Sequence, residues 1–393
     1  MTPLRRFASS PWRVGRARGP ATPVPRRSLA VVVSALALAG CASPTTGVGY
    51  YWQSVTGHLA LMQAARPVDE WIADPQTPAA LRAKLETAQR IRAFASAELA
   101  LPDNASYRRY ADLQRRAAVY NVVAAPELSL RLQTWCFPVA GCVGYRGYYD
   151  EAHAQAFAAT LPAELEVTVY PVPAYSTLGW LNWAGGDPLL NTFIGYPDGE
   201  VARLVFHELA HQVLYVKDDT PFNESFATAV ERLGGERWLA TQADAAAREA
   251  YATFDTRRRE FRALTRATRV QLQAVYDNDA LDVPAKRAQK TAVMQRFRED
   301  YAALKAAWGG FAGYDAWVAR ANNASFGAQA AYDRWVPAFE ALFEREGRDF
   351  ARFYDAVRAL ARQPAGTRTE TLNALLDASA ARLAAGEPPT QRP

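Results

Sequence analysis

The chain has 393 residues, half of them apolar, which is enough for two or three lobes around a substantial core and excludes a disordered or fibrous protein. Its formal charge of +5 is no argument for nucleic-acid binding. Seven arginines and no acid fall in the first 40 residues, and the remainder sets 38 basic against 40 acidic residues.

Those first 40 residues have the parts of a secretory signal: an arginine-rich start, an apolar run over residues 29–39 too short to span a bilayer, and small residues at the end. Leu38-Ala39-Gly40-Cys41 resembles the lipobox of bacterial lipoproteins, which would make Cys41 the diacylated N-terminus of the mature chain. Residues 41–49 then form a lipidated tether. The expected location is the bacterial cell envelope, anchored to a membrane through lipid. By the sorting rule of similar lipoproteins, Ala42 in place of a retention aspartate points to the outer membrane, facing the periplasm.

Residues 50–125 read as an N-terminal helical region of three or four helices. Leu59, Met62 and Ala65, then Leu81, Leu85 and Ile91, recur at helical spacing, and Pro67, Pro75, Pro78 and Pro102 break the pattern. Residues 126–240 read differently, as the catalytic core. Residues 135–150 are aromatic and glycine-rich and hold Cys136 and Cys142, which in an oxidising compartment either pair as a disulfide or stay as two buried thiols. At its end Arg146 and Tyr148 either support the core or line a substrate cleft.

Residues 151–160 read as a helix, and Leu165 to Tyr170 alternate as a strand should. Pro171 and Pro173 interrupt it, and prolines belong on edge strands or outside sheets. Tyr175, Ser176 and Thr177 follow, in an ordinary loop or in an exposed edge that pairs with a peptide backbone.

The chemistry concentrates in His207-Glu208-Leu209-Ala210-His211. On a helix, positions i and i+4 share one face, so both imidazoles can reach one ion, and Glu208 sits beside it as a base. The chain has four histidines in all, and two are here. Downstream, Thr220 reads as an N-cap and Pro221 as the first helical residue, which puts Glu224 in the first turn of a second helix. His207, His211 and Glu224 then make a His2Glu set, the catalytic zinc arrangement that leaves a position for water. One Zn2+ per chain is expected. Glu231 lies two turns beyond Glu224 on the same face, where it either accepts the other ring N–H of a ligand histidine or faces solvent. Gly234-Gly235 reads as the stop of that helix.

Residues 241–385 are again helical, with breaks at Pro284, Gly309-Gly310 and Pro337, and residues 386–393 form a polar tail. Tyr276, Tyr301, Tyr314 and Tyr332 are each conceivable oxyanion donors, and nothing in the sequence selects one. The expected fold is mainly α with a small β-sheet (α+β): a zincin-like core flanked by helical regions.

With these segments in hand, the chain resembles a family of predicted aminopeptidases that are bacterial lipoproteins. The matching stretches include Ser106-Tyr107-Arg108, the Cys136 and Cys142 segment, Tyr145-Arg146-Gly147-Tyr148, Ala174 to Gly179, the His207 motif and Phe222 to Ala227. Asn223-Glu224-Ser225-Phe226-Ala227 is similar to the N-E-x-F-A helix of the large zinc aminopeptidases, which implies Glu224 as third ligand, with Asn223 and Glu231 bracing the metal site. The G-x-M-E-N segment with which those enzymes hold a free amine is absent. The resemblance implies hydrolysis of a peptide substrate, with a zinc endopeptidase and a non-catalytic envelope lipoprotein as the other readings.

Overall fold

The computed structural model describes residues 47–137, 141–174, 176, 177, 179, 182 and 185–384. Cys41 with its leader, Tyr175, the side chain of Tyr332 and the tail from residue 385 lie outside the described residues. Two of the early helices follow prolines, whose fixed φ suits a helix entry. After α1 (Gly47–Ala64) and the short β1 (Arg66–Pro67), Pro67 precedes α2 (Val68–Ala73) and Pro78 precedes α3 (Ala79–Leu99). Then come β2 (Arg109–Ala111), β3 (Val119–Pro126), β4 (Trp135–Phe137), β5 (Gly141–Val143), β6 (Arg146–Tyr148), α4 (Glu151–Ala158), β7 (Leu165–Val172), β8 (Leu189–Leu190) and α5 (Asn191–Ile194). The rest is helical: α6 (Asp198–Val213), α7 (Thr220–Thr241), α8 (Ala245–Tyr276), α9 (Val283–Ala307), α10 (Asp315–Ala319), α11 (Asn323–Asp333), α12 (Val336–Arg345), α13 (Phe350–Ala361) and α14 (Ala365–Ala384). Asp219, Asp244, Asp282 and Asp349 each accept a backbone N–H three residues on, capping α7, α8, α9 and α13.

The fold is thus mainly helical with small sheets. In the sheet ordered β6-β3-β7 both pairs are antiparallel, so β7 is an edge strand and carries Pro171 there at no ladder cost. A second sheet runs β1-β2-β8, with β2 parallel to β8, and β4 pairs with β5. Cys136 and Cys142 face each other across that hairpin and are disulfide-bonded.

The helical reading of residues 50–125 needs correcting beyond Leu99, because Val119–Pro126 is the central strand of the β6-β3-β7 sheet. Its run Val122-Val123-Ala124-Ala125 is buried on both faces, and a short apolar run of that kind has no periodicity to separate strand from helix.

One apolar cluster joins Leu85 and Ile91 of α3, Phe206 and Leu209 of α6, Phe226 of α7, Phe339 of α12 and Phe353 of α13. Phe226, fully buried, packs its ring against Phe339, Phe353 and Tyr354 at centroid distances of 5.8, 5.9 and 6.1 Å. Emptying such a position costs about 3–5 kcal/mol, so the two central helices are held rigidly from behind. A second cluster, with Phe261, Phe297 and Tyr301, ties α8 to α9.

The second central helix also departs from expectation. It does not stop at Gly234-Gly235 but runs on to Thr241. A Cβ at Gly234 would lie 2.6 Å from Leu99 Cδ1, and one at Gly235 would lie 2.5 Å from Arg203 Cγ. These glycines admit close neighbours, which is the other reason a helix carries glycine.

Candidate metal centre

Helices α6 and α7 run side by side, joined by a short connection that Asn223 clamps: its Oδ1 accepts from Val216 N at 2.8 Å and its Nδ2 donates to Val216 O at 2.7 Å. Asn223 therefore holds the connection and not a ligand. Asp219, rather than Thr220, caps α7, and Arg368 pairs with the same carboxylate at 2.6 Å. Cys142 N donates to Asp218 Oδ1 at 2.7 Å, which ties the disulfide hairpin to this connection.

The clamp sets the next residue, Glu224, opposite the motif on α6. His207 Nε2 lies 3.2 Å from His211 Nε2 and 3.4 Å from Glu224 Oε2, and His211 Nε2 lies 3.8 Å from Glu224 Oε1. One ligand atom from each of the three residues falls within 4.8 Å of the others.

Whether this trio suits a metal turns on protons. His207 Nδ1 lies 2.9 Å from Glu231 Oε2. Although burial opposes its charge, Arg203 and the bond from His207 pull Glu231 down to about 2, so Glu231 only accepts and the proton sits on His207 Nδ1. With Nδ1 keeping that proton, loss of the second proton from His207 would turn its Nε2 lone pair towards a second imidazole nitrogen and a carboxylate. With protein groups alone, burial disfavours a charged His207, yet its bonds to Glu224 and Glu231 raise its pKa well above the ordinary value, while burial lowers His211 to about 4. The donor set of two imidazole nitrogens and a carboxylate oxygen fits zinc.

Behind Glu231 lies a buried ionic cluster. Arg203, one helical turn before His207, pairs with Glu231, and its other nitrogen meets Tyr251 Oη at 2.6 Å and Asp255 at 3.2 Å. Arg258 brings Glu200 into the cluster at 2.7 Å. No motif names Arg203. Its signal was its place on the ligand face of a helix expected to be buried, where an arginine must find carboxylates.

On the opposite side hydroxyls, amides and the Asp187 carboxylate make the hydrogen bonds. Asp187, 1 % exposed, takes the Thr177 N–H with both carboxylate oxygens at 3.0 Å, and Ser176 Oγ lies 3.4 Å away. Gln212 at the end of α6 accepts from Asn104 at 2.7 Å and donates to Ser106 Oγ at 3.1 Å, and Ser106 Oγ lies 2.8 Å from Asn182. Burial raises the Glu208 carboxyl to about 7, with Glu224 and Asp187 repelling its charge and a hydrogen bond from Ser176 favouring it. Ser176 therefore stands beside Glu208, and neither it nor Thr177 lies in a strand, since Asp187 takes the Thr177 N–H that a ladder would need.

Arg146 and Tyr148 lie elsewhere. Arg146 stacks over Tyr50 and Phe157 at 4.2 and 4.3 Å, and Tyr148 is buried in the cluster of Val122, Ala154 and Val169. The neighbouring Tyr145 packs with Val123 and Tyr170 on the other sheet face, and Glu224 acts on the phenols of Tyr145, Tyr170 and Tyr215. Successive residues alternate faces in a strand, so a choice one residue off lands on the wrong side. Of the tyrosines weighed in the C-terminal region, Tyr276 bonds Asn323, and Tyr301 and Tyr314 pack in the α8–α9 cluster. A cavity of about 940 Å³ with Arg262, Arg266 and Arg269 on its wall opens beside Pro221, but none of the motif residues lines it.

The family model described as "Putative aminopeptidase" matches residues 49–372. The chain belongs to this family. No curated protein and no solved structure matches the chain. The matched span takes in α6, α7 and the ionic cluster as well as the loops around Asp187, so the whole described site lies within the family's aminopeptidase-type sequence.

Proposed function

We propose that the chain is a zinc-dependent aminopeptidase in which His207, His211 and Glu224 hold the ion and Glu208 is the general base. The convergence of two imidazole nitrogens and a carboxylate beside a second, buried carboxylate carries this reading. A zinc ion in such a set lowers the pKa of water and polarises a carbonyl. Glu208, with a proton affinity lifted towards neutrality, takes a proton from the attacking water and passes it to the leaving amine. Glu231 holds His207 in the tautomer that frees Nε2, and Arg203 keeps Glu231 ionised. Ser176 steadies the Glu208 carboxylate.

Restriction to a chain end is supported by the family alone. Profiling tests it: release of N-terminal residues from unblocked peptides, with no cut in the same peptides after N-acetylation, supports the aminopeptidase reading. Cleavage of acetylated, internally quenched peptides would make it an endopeptidase. An inert, metal-free protein would remove the catalytic reading altogether. As part of the same proposal, acylation at Cys41 places the enzyme outside the cytoplasm on a membrane, and mass spectrometry of the mature N-terminus would detect it.

A further inference from the structure

We propose that the outer face of α1 docks on the surface of a lipid bilayer. Tyr51, Trp52, Val55 and Leu59 are 46, 67, 55 and 51 % exposed, and only Val270 and Val283 match them among the described large apolar residues. At 3.6 residues per turn these four fall within an arc of about 100°. The helix holds no Asp, Glu, Lys or Arg, whereas a helix exposed to water carries such residues on its outer face.

The opposite face is fixed to the body of the protein. Gln53 is buried and accepts from Tyr149 N at 3.2 Å, the Tyr149 ring fills the space a Cβ at Gly57 would need, and Leu61 is buried in the main core. Arg146 lies over the ring of Tyr50 at 4.2 Å. With one face so committed, α1 cannot be surrounded by lipid, but it can lie in the interface, where tryptophan and tyrosine are favoured. Four part-exposed side chains offer roughly a few hundred Å², short of the roughly 800 Å² per partner of a stable protein dimer. A bilayer sets no such threshold.

The chain before the helix points to the same occupant. Gly47 lies six positions after Cys41, a reach of about 20 Å, so a lipid on Cys41 would hold this face against the membrane. The docking face is independent of the peptidase chemistry. It uses the Cys41 reading only for that geometry.

The test takes the chain from Ala42 onward, which lacks the leader and lipid but keeps every residue described here, and sediments it with phosphatidylethanolamine–phosphatidylglycerol vesicles. The native chain should pellet with vesicles, and Trp52→Glu/Leu59→Glu should bind at least tenfold less while keeping its circular dichroism, thermal midpoint and metal content. Trp52→Phe should bind as the native chain does but show less quenching of tryptophan fluorescence by chain-brominated lipid. A native chain that stays in the supernatant, or a double variant that binds equally, overturns the proposal. So does a native dimer, without vesicle binding, that the double variant makes monomeric, since the face would then belong to a second copy.

Discussion

The two sides of the candidate metal centre are built from different interactions. Towards α8, His207 is held through Glu231 by buried charges on Arg203, Asp255, Glu200 and Arg258. Towards the loops, Glu208 has Ser176 and the Asp187 carboxylate near it, the latter held by the Thr177 N–H and a hydroxyl, with the neutral Gln212 network beside them. Buried charges are unforgiving of partner loss, whereas neutral hydrogen bonds exchange for water at about 0.5–1.5 kcal/mol each. The ionic side therefore fixes His207, and loss of a bond on the loop side is expected to cost less.

Substitutions on each side separate these roles. Glu224→Ala should have the largest effect, taking zinc content from one per chain to near zero by elemental analysis, and activity with it. Arg203→Leu leaves Glu231 buried without its main partner and should cost about 3–5 kcal/mol, read as a lower urea midpoint. Equal midpoints for this variant and the native chain would break the contrast. Glu231→Gln should fold but bind zinc roughly 10–100-fold more weakly in a chelator competition. Asp187→Ala should cost about 1–2 kcal/mol, keep full zinc content and lower kcat/KM, because it frees only Ser176 and Thr177. Loss of zinc in Asp187→Ala would show that the two sides are one unit.

The same division explains what the sequence made legible. His207, His211, Glu224 and Glu231 stand at spacings of four and seven on two helices, and helical periodicity turns such spacings into shared faces. The mainly helical fold with a little sheet followed from apolar periodicity. Val119–Pro126 escaped because a doubly buried strand has no period, and Gly234-Gly235 misled because close packing and helix ends call for the same residue. Tyr145 was passed over for Arg146 and Tyr148 because strand parity cannot be assigned until the register is known. Asp187 had no local signal at all. Its partners come from Thr177 and Ser106, far enough apart in the chain that only the folded structure joins them.

In the proposed mechanism the trio holds the ion while Glu208 does the proton work. Glu208→Gln tests it most directly when zinc content and turnover of an unblocked peptide are measured on the same sample. One zinc per chain is expected, in this variant and in the native protein, with kcat down by about 10²–10⁴-fold. A zinc-loaded Glu208→Gln enzyme turning over at the native rate would contradict it.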